Sequence, residues 1–482
     1  MKKALLIFLA FLLQGLLPAL AQFSYNTNAD GSSITITGYT GVSGSVTIPT
    51  NINGFAVNAI GAYVFDAVIQ ADAGLTNVVI PDSVTSIGDS AFYRSPVTSI
   101  TLSRNITNLG ETIFFYASLT SVTIPNGLTN LGYAMFEGCT NLTNVVFPNS
   151  VIGLGELAFA SCGSLSNITL PDNIISIPMS AFSQSGLTSI AFPSNVTSIG
   201  AYAFDGCPLT NITISSRITN VGAGAFAACT NLTAITVDEQ NPVYRSVNGV
   251  LFDKAQTTLV QYPAGLGGSY AIPGTVGNIG EASFGGCVNL NLTIPNSVTN
   301  IEAYAFEESF LTNIDIPGSI TTIGEYAFQH CLGLAKMTIP ASVTTMALSA
   351  FEADGISLYF MGNAPVFSFT GFLIFLPSSS YYLPGSTGWG LSTNNPFAFS
   401  ATLWNPQIQT GDGSFGVRNG QFGFNIIAPQ IYSLVVETCT NLTNPLWTPL
   451  ATVILPTSNG PYYFSDPQWT NNPSRYYRLG LP

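Results

Sequence analysis

Charge is scarce in this chain. Of its 482 residues 7% are charged, 24 acidic against 11 basic, and there is a single histidine; an ordinary globular protein carries about 25% charged residues. A charge-rich disordered chain is excluded, since 46% hydrophobic residues, among them 32 Phe and 20 Tyr, supply ample apolar surface to offset the entropy of ordering. No basic stripe exists to neutralise phosphates, so no nucleic-acid partner is expected. One histidine leaves little scope for serine or cysteine triads. The acidic residues are scattered among turn segments instead of returning in facing pairs, so no catalytic residues are expected and the chain does not read as an enzyme. Paired ligands of the C-x-x-C type are missing and His330, beside Cys331, has no second histidine near it, so no metal site and no cofactor are expected.

Long apolar runs are missing too, except at the start. "MKK" precedes "ALLIFLAFLLQGLLPAL" and the small-residue site Ala19-Leu20-Ala21, the pattern of an export signal cleaved near Ala21; an uncleaved anchor is the rival reading. No later run reaches about 18 apolar residues, so no transmembrane segment is expected in the mature chain, which reads as secreted or held at the cell surface.

What the chain has is one phrase, repeated. "FPSNVTSIGAYAFDGCPLTNITI" (192–214) returns as "IPDSVTSIGDSAFYRSPVTSITL" and as "IPGSITTIGEYAFQHCLGLAKMTI". Alignment on the Ile-Pro dipeptide places equivalents from Pro49 to Pro340, about twelve coils mostly 22 or 23 residues apart. That is the period of a leucine-rich solenoid, and too short for helical-pair repeats. Within a coil, L-x-x-I-x-I alternates like a half-buried strand, V-T-x-I is a second short extended piece, and A-F-x-x-C-x-x-L has the spacing of one or two helical turns. A single coil cannot bury these positions alone; stacked coils make a continuous core. Phe92, Phe114, Phe136, Phe159, Phe182, Phe204, Phe226, Phe284, Phe306, Phe328 and Phe351 share one register and should form an internal column. Gly88, Gly110, Gly132 and their equivalents fall where a turn would use positive φ. Pro178 and Glu302 replace that glycine, so their coils should turn differently.

The wording resembles the BspA-like leucine-rich repeat family of bacterial and some protist surface proteins across about residues 33–365. The opening "FSYNTNADGSSITITGYTG" and the insertion "NPVYRSVNGVLFDKAQTTLVQYPAG" look like features of that family. The resemblance implies an extracellular adhesive or recognition role and stops at that class. The expected organisation is a signal peptide at 1–21, an N-terminal β entry at 22–46, and a β-rich leucine-rich repeat solenoid at 47–365 with a hairpin insertion at about 238–270, its turn at Asn248-Gly249. An aromatic cap or linker at 366–410 and a small antiparallel β-sandwich at 411–482 complete it, the latter read from alternating runs between Asn, Pro and Gly turns.

Six cysteines, Cys139, Cys162, Cys207, Cys229, Cys287 and Cys331, lie three residues after the column Phe, where other coils hold Ser185 and Ser309. A register that accepts Cys or Ser asks for a small buried residue; disulfide and metal are the competing readings. "NTNADG" (26–31) starts like a calcium loop but has Thr37 where the bidentate Glu belongs, and reads as a plain turn. "LPGSTG" (383–388) falls short of a wall-sorting signal. The N-x-T triplets arise from the repeat. "FSFTGFLIFLP" (367–377) is read as cap in preference to a membrane loop. The four tryptophans, 389, 404, 447 and 469, are read as core before sugar platforms.

The outward positions of the L-x-x-I-x-I strand form two rows of small neutral groups. The candidate binding residues are Ser121, Thr123, Asn144, Asn167, Thr169, Ser189, Asn211, Thr213, Asn291, Thr293, Asn313 and Asp315. The reading is an exported protein that binds an extracellular protein or glycan through this face. A structural envelope component, in which Thr and Asn only stabilise the sheet, is the alternative, and ice binding a remote third.

Overall fold

A computed structural model of the chain describes residues 22–41, 44–67, 74–352, 355–368, 379–389, 401–427, 433–454, 461–471 and 474–480. The expected signal segment and most of "FSFTGFLIFLP" fall outside them. The described residues form two compact units, one running up to Leu334 and returning at 346–352, the other taking 335–345, 355–368 and the chain from 379 onward.

The first unit is a leucine-rich repeat β-solenoid. It opens with the antiparallel pair Phe23–Thr27 and Ser33–Tyr39. Each coil then contributes a strand to a first parallel strip, Gly44–Thr47, Leu75–Val79, Ser99–Thr101, Ser121–Thr123 and Asn144–Val146 in spatial order. A second strip collects two-residue strands such as Ser176–Ile177, Ser198–Ile199 and Asn220–Val221. The strands are short because a coil of 22 residues must turn three times. Apolar side chains point inward from both strips: Ile100, Val122, Val145 and Ile212 are buried between exposed neighbours, which is the alternation the sequence carries.

The column Phe residues are buried and stack face to face. Ring centroids from Phe65 through Phe92, Phe114, Phe136, Phe159, Phe182, Phe204 to Phe226 are 4.8 to 5.7 Å apart, within the range of favourable offset stacking. Tyr262, fully buried, takes the Phe position in the inserted coil and stacks on Phe284 at 5.1 Å; the column then runs on to Phe351. Phe284 follows Tyr262 at the repeat period, but the insertion puts Tyr262 far out of period after Phe226, and it is Tyr where the other coils have Phe, which hid it in the sequence.

The third side of the coil corrects three expectations. The A-F-x-x-C segment is a pair of tight turns and not a helix: residues two before and two after the column Phe have left-handed backbone, as in Ser90 and Arg94 (φ 53° and 51°), Thr112 and Tyr116 (53° and 56°) and Tyr326 and His330 (54° and 56°). The glycine before this segment has no positive φ. It is there for room, since a side-chain carbon on Gly132 would stand 2.7 Å from the Gly110 carbonyl oxygen of the preceding coil. The coils with Pro178 and Glu302 do not turn differently: Ser180 and Gln184, then Tyr304 and Glu308, keep φ between 52° and 56°. Glu302 fits by turning its carboxylate onto the Glu281 backbone N–H (2.9 Å) and Asn278 Nδ2 (2.6 Å), both of which donate to it.

The insertion is the antiparallel hairpin Tyr244–Val247 and Val250–Asp253, joined at Asn248 and Gly249 with φ 53° and 82°; two left-handed residues in a row make the turn that matches strand twist. In the second unit Lys336–Ile339, Ser357–Phe360, Ser379–Tyr382 and Thr402–Leu403 form a parallel ladder of their own, which extends past the point where the sequence repeat fades. Two antiparallel sheets follow. One is built on Gln421–Ile427 and the other on Ser433–Cys439. Phe424, Ile426, Leu434, Val436, Val453 and Phe464 form a core between them, which Tyr359, Tyr381 and Trp404 join from the ladder. Trp389 and Trp404 are buried, Trp469 donates to the Gly420 carbonyl (3.1 Å), and Trp447 lies under the Arg478 guanidinium (4.6 Å).

Candidate recognition surface

All twelve candidate residues are exposed, and each is followed by an inward apolar residue. Strand pairing aligns several of them across coils. Ser121 stands opposite Ser99 and Asn144, Asn211 opposite Ala234, Asn291 opposite Ser269 and Thr293 opposite Ala271. Thr213 stands opposite Thr236 with their hydroxyls 3.0 Å apart. Asn167, Thr169, Ser189, Asn313 and Asp315 keep the same in-and-out alternation on extended segments that do not join the strand ladder. The surface is therefore two rows of hydroxyl and amide groups at the rung spacing of about 4.8 Å, with Asp315 the one charged member of the twelve.

A neighbouring row, missed in the sequence, has another job. The Thr98 hydroxyl donates to the Thr76 carbonyl (3.1 Å), Thr120 to Thr98 (3.0 Å) and Thr143 to Thr120 (3.0 Å). These hydroxyls are consumed in tying coil to coil. In the candidate rows Asn167 and Asn211 donate through Nδ2 to the adjacent Ser166 and Thr210 hydroxyls, their only side-chain hydrogen bonds among the described residues. Consecutive residues such as Thr120-Ser121 and Thr143-Asn144 thus place a coil-tying side chain and an outward candidate side chain next to each other.

The cysteines are free and buried. Five of the six repeat thiols are satisfied by the Phe carbonyl of the coil before: Cys139 donates to Phe114 (3.0 Å), Cys162 to Phe136 (3.1 Å), Cys207 to Phe182 (3.0 Å), Cys229 to Phe204 (3.1 Å) and Cys331 to Phe306 (3.1 Å). Burial pushes the Cys139 thiol up to about 12 and Cys207 to about 11, against a thiolate and against metal ligation. Among the described residues no group of three or more His, Cys, Asp or Glu side chains could hold a metal ion. No helix among them is long and apolar enough to cross a membrane. "NTNADG" is a turn in which Asp30 accepts from the Ser33 hydroxyl (2.6 Å) and from the Ser32 and Ser33 backbone N–H groups (2.8 Å each), which hold its carboxyl down at about 2 although the group is exposed.

The most strongly raised carboxyl groups of the solenoid, Asp205 and Glu307, lie beside the column Phe turns. Burial raises Asp205 to about 6, against the opposing effect of the Ser183 hydroxyl, and Glu308 adds to the rise. Burial likewise raises Glu307 to about 7, helped by the charges of Glu308 and Asp205. Scattered in sequence, these acids share one region in space. The signal available was their common place one residue after the column Phe.

Among solved structures the chain resembles a leucine-rich cell surface protein from Faecalibacterium prausnitzii (24% identity, 73% of this chain and 94% of that one, TM-score 0.45). It also resembles the pneumococcal vaccine antigen PcpA (19% identity, 79% and 88%, TM-score 0.43) and a leucine-rich repeat protein from Bacteroides ovatus (21% identity, 80% and 98%, TM-score 0.44). No curated protein matches it. The family model described as a BspA type leucine rich repeat region of six copies matches at residues 58–166, 153–266 and 268–363. With the Ile-Pro register, the Phe column and the stacked parallel rungs already in place, that match over more than half the sequence makes this chain a member of the BspA-type leucine-rich repeat family.

Proposed function

We propose that the chain is exported and acts at the cell surface in adhesion or recognition, binding an extracellular protein or glycan through the outward strand rows. The carrying observation is that these rows stay exposed and mostly unpaired while the adjacent Thr row is used up internally. Uncharged donors and acceptors at a fixed repeat suit a ligand that is itself hydrogen-bonding and repetitive, and a solenoid offers such a surface over many rungs. Membership of a family of repeat proteins that includes surface proteins agrees with this reading.

The test uses the full chain from residue 22 on a glycan array and in extracellular-protein pull-downs. Saturable binding is expected. The variant Asn144→Lys/Asn167→Lys/Asn211→Lys, whose substitutions sit on exposed positions, should lose that binding while its thermal unfolding stays unchanged. Retention of full affinity by the triple variant would overturn the assignment to this face.

A further inference from the structure

The turn side carries chemistry that the strand rows lack. Between Ala255 and Ala335 there are six acidic residues and no Lys or Arg. Glu302 is used internally, as described above. Among the described residues Glu307 has no side-chain hydrogen bond and Asp205 has only the Ser183 hydroxyl (3.4 Å). The Gly206 N–H donates to the Ala227 carbonyl, Ala228 to Gly285 and Gly286 to Glu307 (2.9, 2.9 and 2.8 Å), so Asp205, Ala227, Gly285 and Glu307 occupy successive rungs of one row. The two middle rungs carry at most a methyl group and are buried. The hairpin insertion, which adds its coil to the other sides, brings these two turns into direct contact; a side-chain carbon on Gly286 would stand 2.5 Å from Ala228 Cα. Two half-buried carboxyl groups therefore border a notch with a small-residue floor, and neither belongs to an ion pair among the described residues.

Beside the notch, Glu308 is exposed, and Phe310 and Leu332 follow at the position four after the column Phe on adjacent rungs. They are 59% and 71% exposed. Other coils place Pro96, Ser118, Thr140, Gly163, Gly186 and Pro208 there. Large apolar side chains held out in water next to uncompensated carboxylates have no purpose in the packing of the solenoid.

We infer that the turn side around Asp205, Glu307, Glu308, Phe310 and Leu332 is a docking surface for a basic protein segment, with a Lys or Arg head in the notch and an apolar side chain against Phe310 and Leu332. Charge complementarity selects the occupant: the notch has carboxylates without a cation, and a partly desolvated carboxylate gains most from a hydrogen-bonded cationic partner. Phosphate-bearing ligands are repelled by the same charges. The exposed Phe and Leu supply the apolar anchor that a charge pair by itself lacks. This surface lies apart from the strand rows and stands whether or not they bind a glycan.

The experiment is a fluorescence-anisotropy titration of the full chain with a labelled peptide made of three Lys-Leu-Arg-Ser blocks, at constant salt. The variant Asp205→Asn/Glu307→Gln/Glu308→Gln should bind about tenfold more weakly, as loss of close charge pairs would give. The charge-matched control Glu111→Gln/Glu156→Gln/Asp172→Asn, on exposed acids of earlier coils, should lose less than about twofold, since it removes only long-range attraction. Phe310→Ser/Leu332→Ser should weaken binding about fivefold with the charge unchanged. Should the triple patch variant not fold, Glu308→Gln alone, at an exposed position, is expected to cost about threefold. Equal losses in patch and control variants, or full affinity in the Phe310/Leu332 variant, would overturn the proposal.

Discussion

Gly132 lies over Gly110 so closely that any side-chain carbon on it would meet the Gly110 carbonyl oxygen at 2.7 Å. The contact is backbone against backbone, which no rotamer change can relieve. Gly132→Ala is expected to cost about 1–3 kcal/mol as an overpacking change. Ala228, by contrast, already pays for left-handed backbone at φ 52°, so Ala228→Gly should shift stability by less than about 0.5 kcal/mol, relief of strain offsetting the added freedom of the unfolded chain. Chemical denaturation of the two variants side by side checks the pair. A neutral Gly132→Ala would mean the coils can move apart.

Phe204 is fully buried between Phe182 and Phe226, with ring centroids at 5.4 and 5.7 Å. Truncation to Ala removes two stacking interfaces at once, and about 3–5 kcal/mol is expected. Because a solenoid is held by nearest-neighbour interfaces, the loss should also broaden the unfolding transition as the two flanks uncouple. Calorimetry of Phe204→Ala reports both quantities; a sharp transition would show that the stack unfolds as one body regardless of a weak rung.

Much of this was legible in the sequence because apolar burial is periodic. The Ile-Pro register, the Phe column and the outward rows depend only on which residues repeat at 22, and the structure places all of them where that period puts them. What stayed hidden depends on backbone conformation or on insertions. Left-handed turns usually announce themselves through Gly or Asn, yet here Tyr202, Leu157 and His330 adopt them; the stacked rungs over-determine the turn and override residue preference. The Asp205–Glu307 row was masked because the inserted coil lengthens the sequence between two turns that touch in space.

The cysteines should be chemically silent. With all six repeat thiols buried, five of them donating to carbonyls, and Cys139 and Cys207 raised to about 12 and about 11, almost no thiolate exists at pH 8. Native protein is expected to resist iodoacetamide at all six repeat cysteines, which should label only after denaturant. Rapid labelling of the native chain, seen by mass spectrometry, would contradict the packing described.

Asp205 and Glu307 make stability pH-dependent with an uncommon sign. Their folded-state values, about 6 and about 7, lie above the ordinary carboxyl range, so between about pH 4 and pH 7 the folded chain binds more protons than the unfolded one. Stability is full below pH 4 on this account and falls as pH rises through 6 and 7. After allowance for partial exposure of both groups, about 1–2 kcal/mol is expected to go. Asp205→Asn/Glu307→Gln should remove this slope and unfold at a higher temperature than the parent at pH 8. Parallel pH–stability curves for the two proteins would show that the notch acids are fully solvated.

Two ion pairs differ in the one respect that decides their worth. Arg475 Nε meets Asp466 Oδ2 at 3.1 Å with the carboxylate side chain 1% exposed and the arginine 10%, and the Tyr477 hydroxyl donates to the same oxygen at 2.8 Å. Arg104 meets Asp82 at 3.3 Å with side chains 89% and 51% exposed. Arg475→Ala strands a buried carboxylate with one hydroxyl donor left on that oxygen, and removal of one partner of a buried pair costs about 3–5 kcal/mol. Water and salt already screen the surface pair, so Arg104→Ala should cost less than about 1 kcal/mol. Thermal denaturation of both variants tests this. Asp466 also accepts from the Gln468 backbone N–H at 2.9 Å, so the loss should appear first in the two antiparallel sheets, and far-ultraviolet signal from the solenoid should persist above that first transition. A similar small loss in the two variants would show that water enters to solvate Asp466 once the guanidinium is gone.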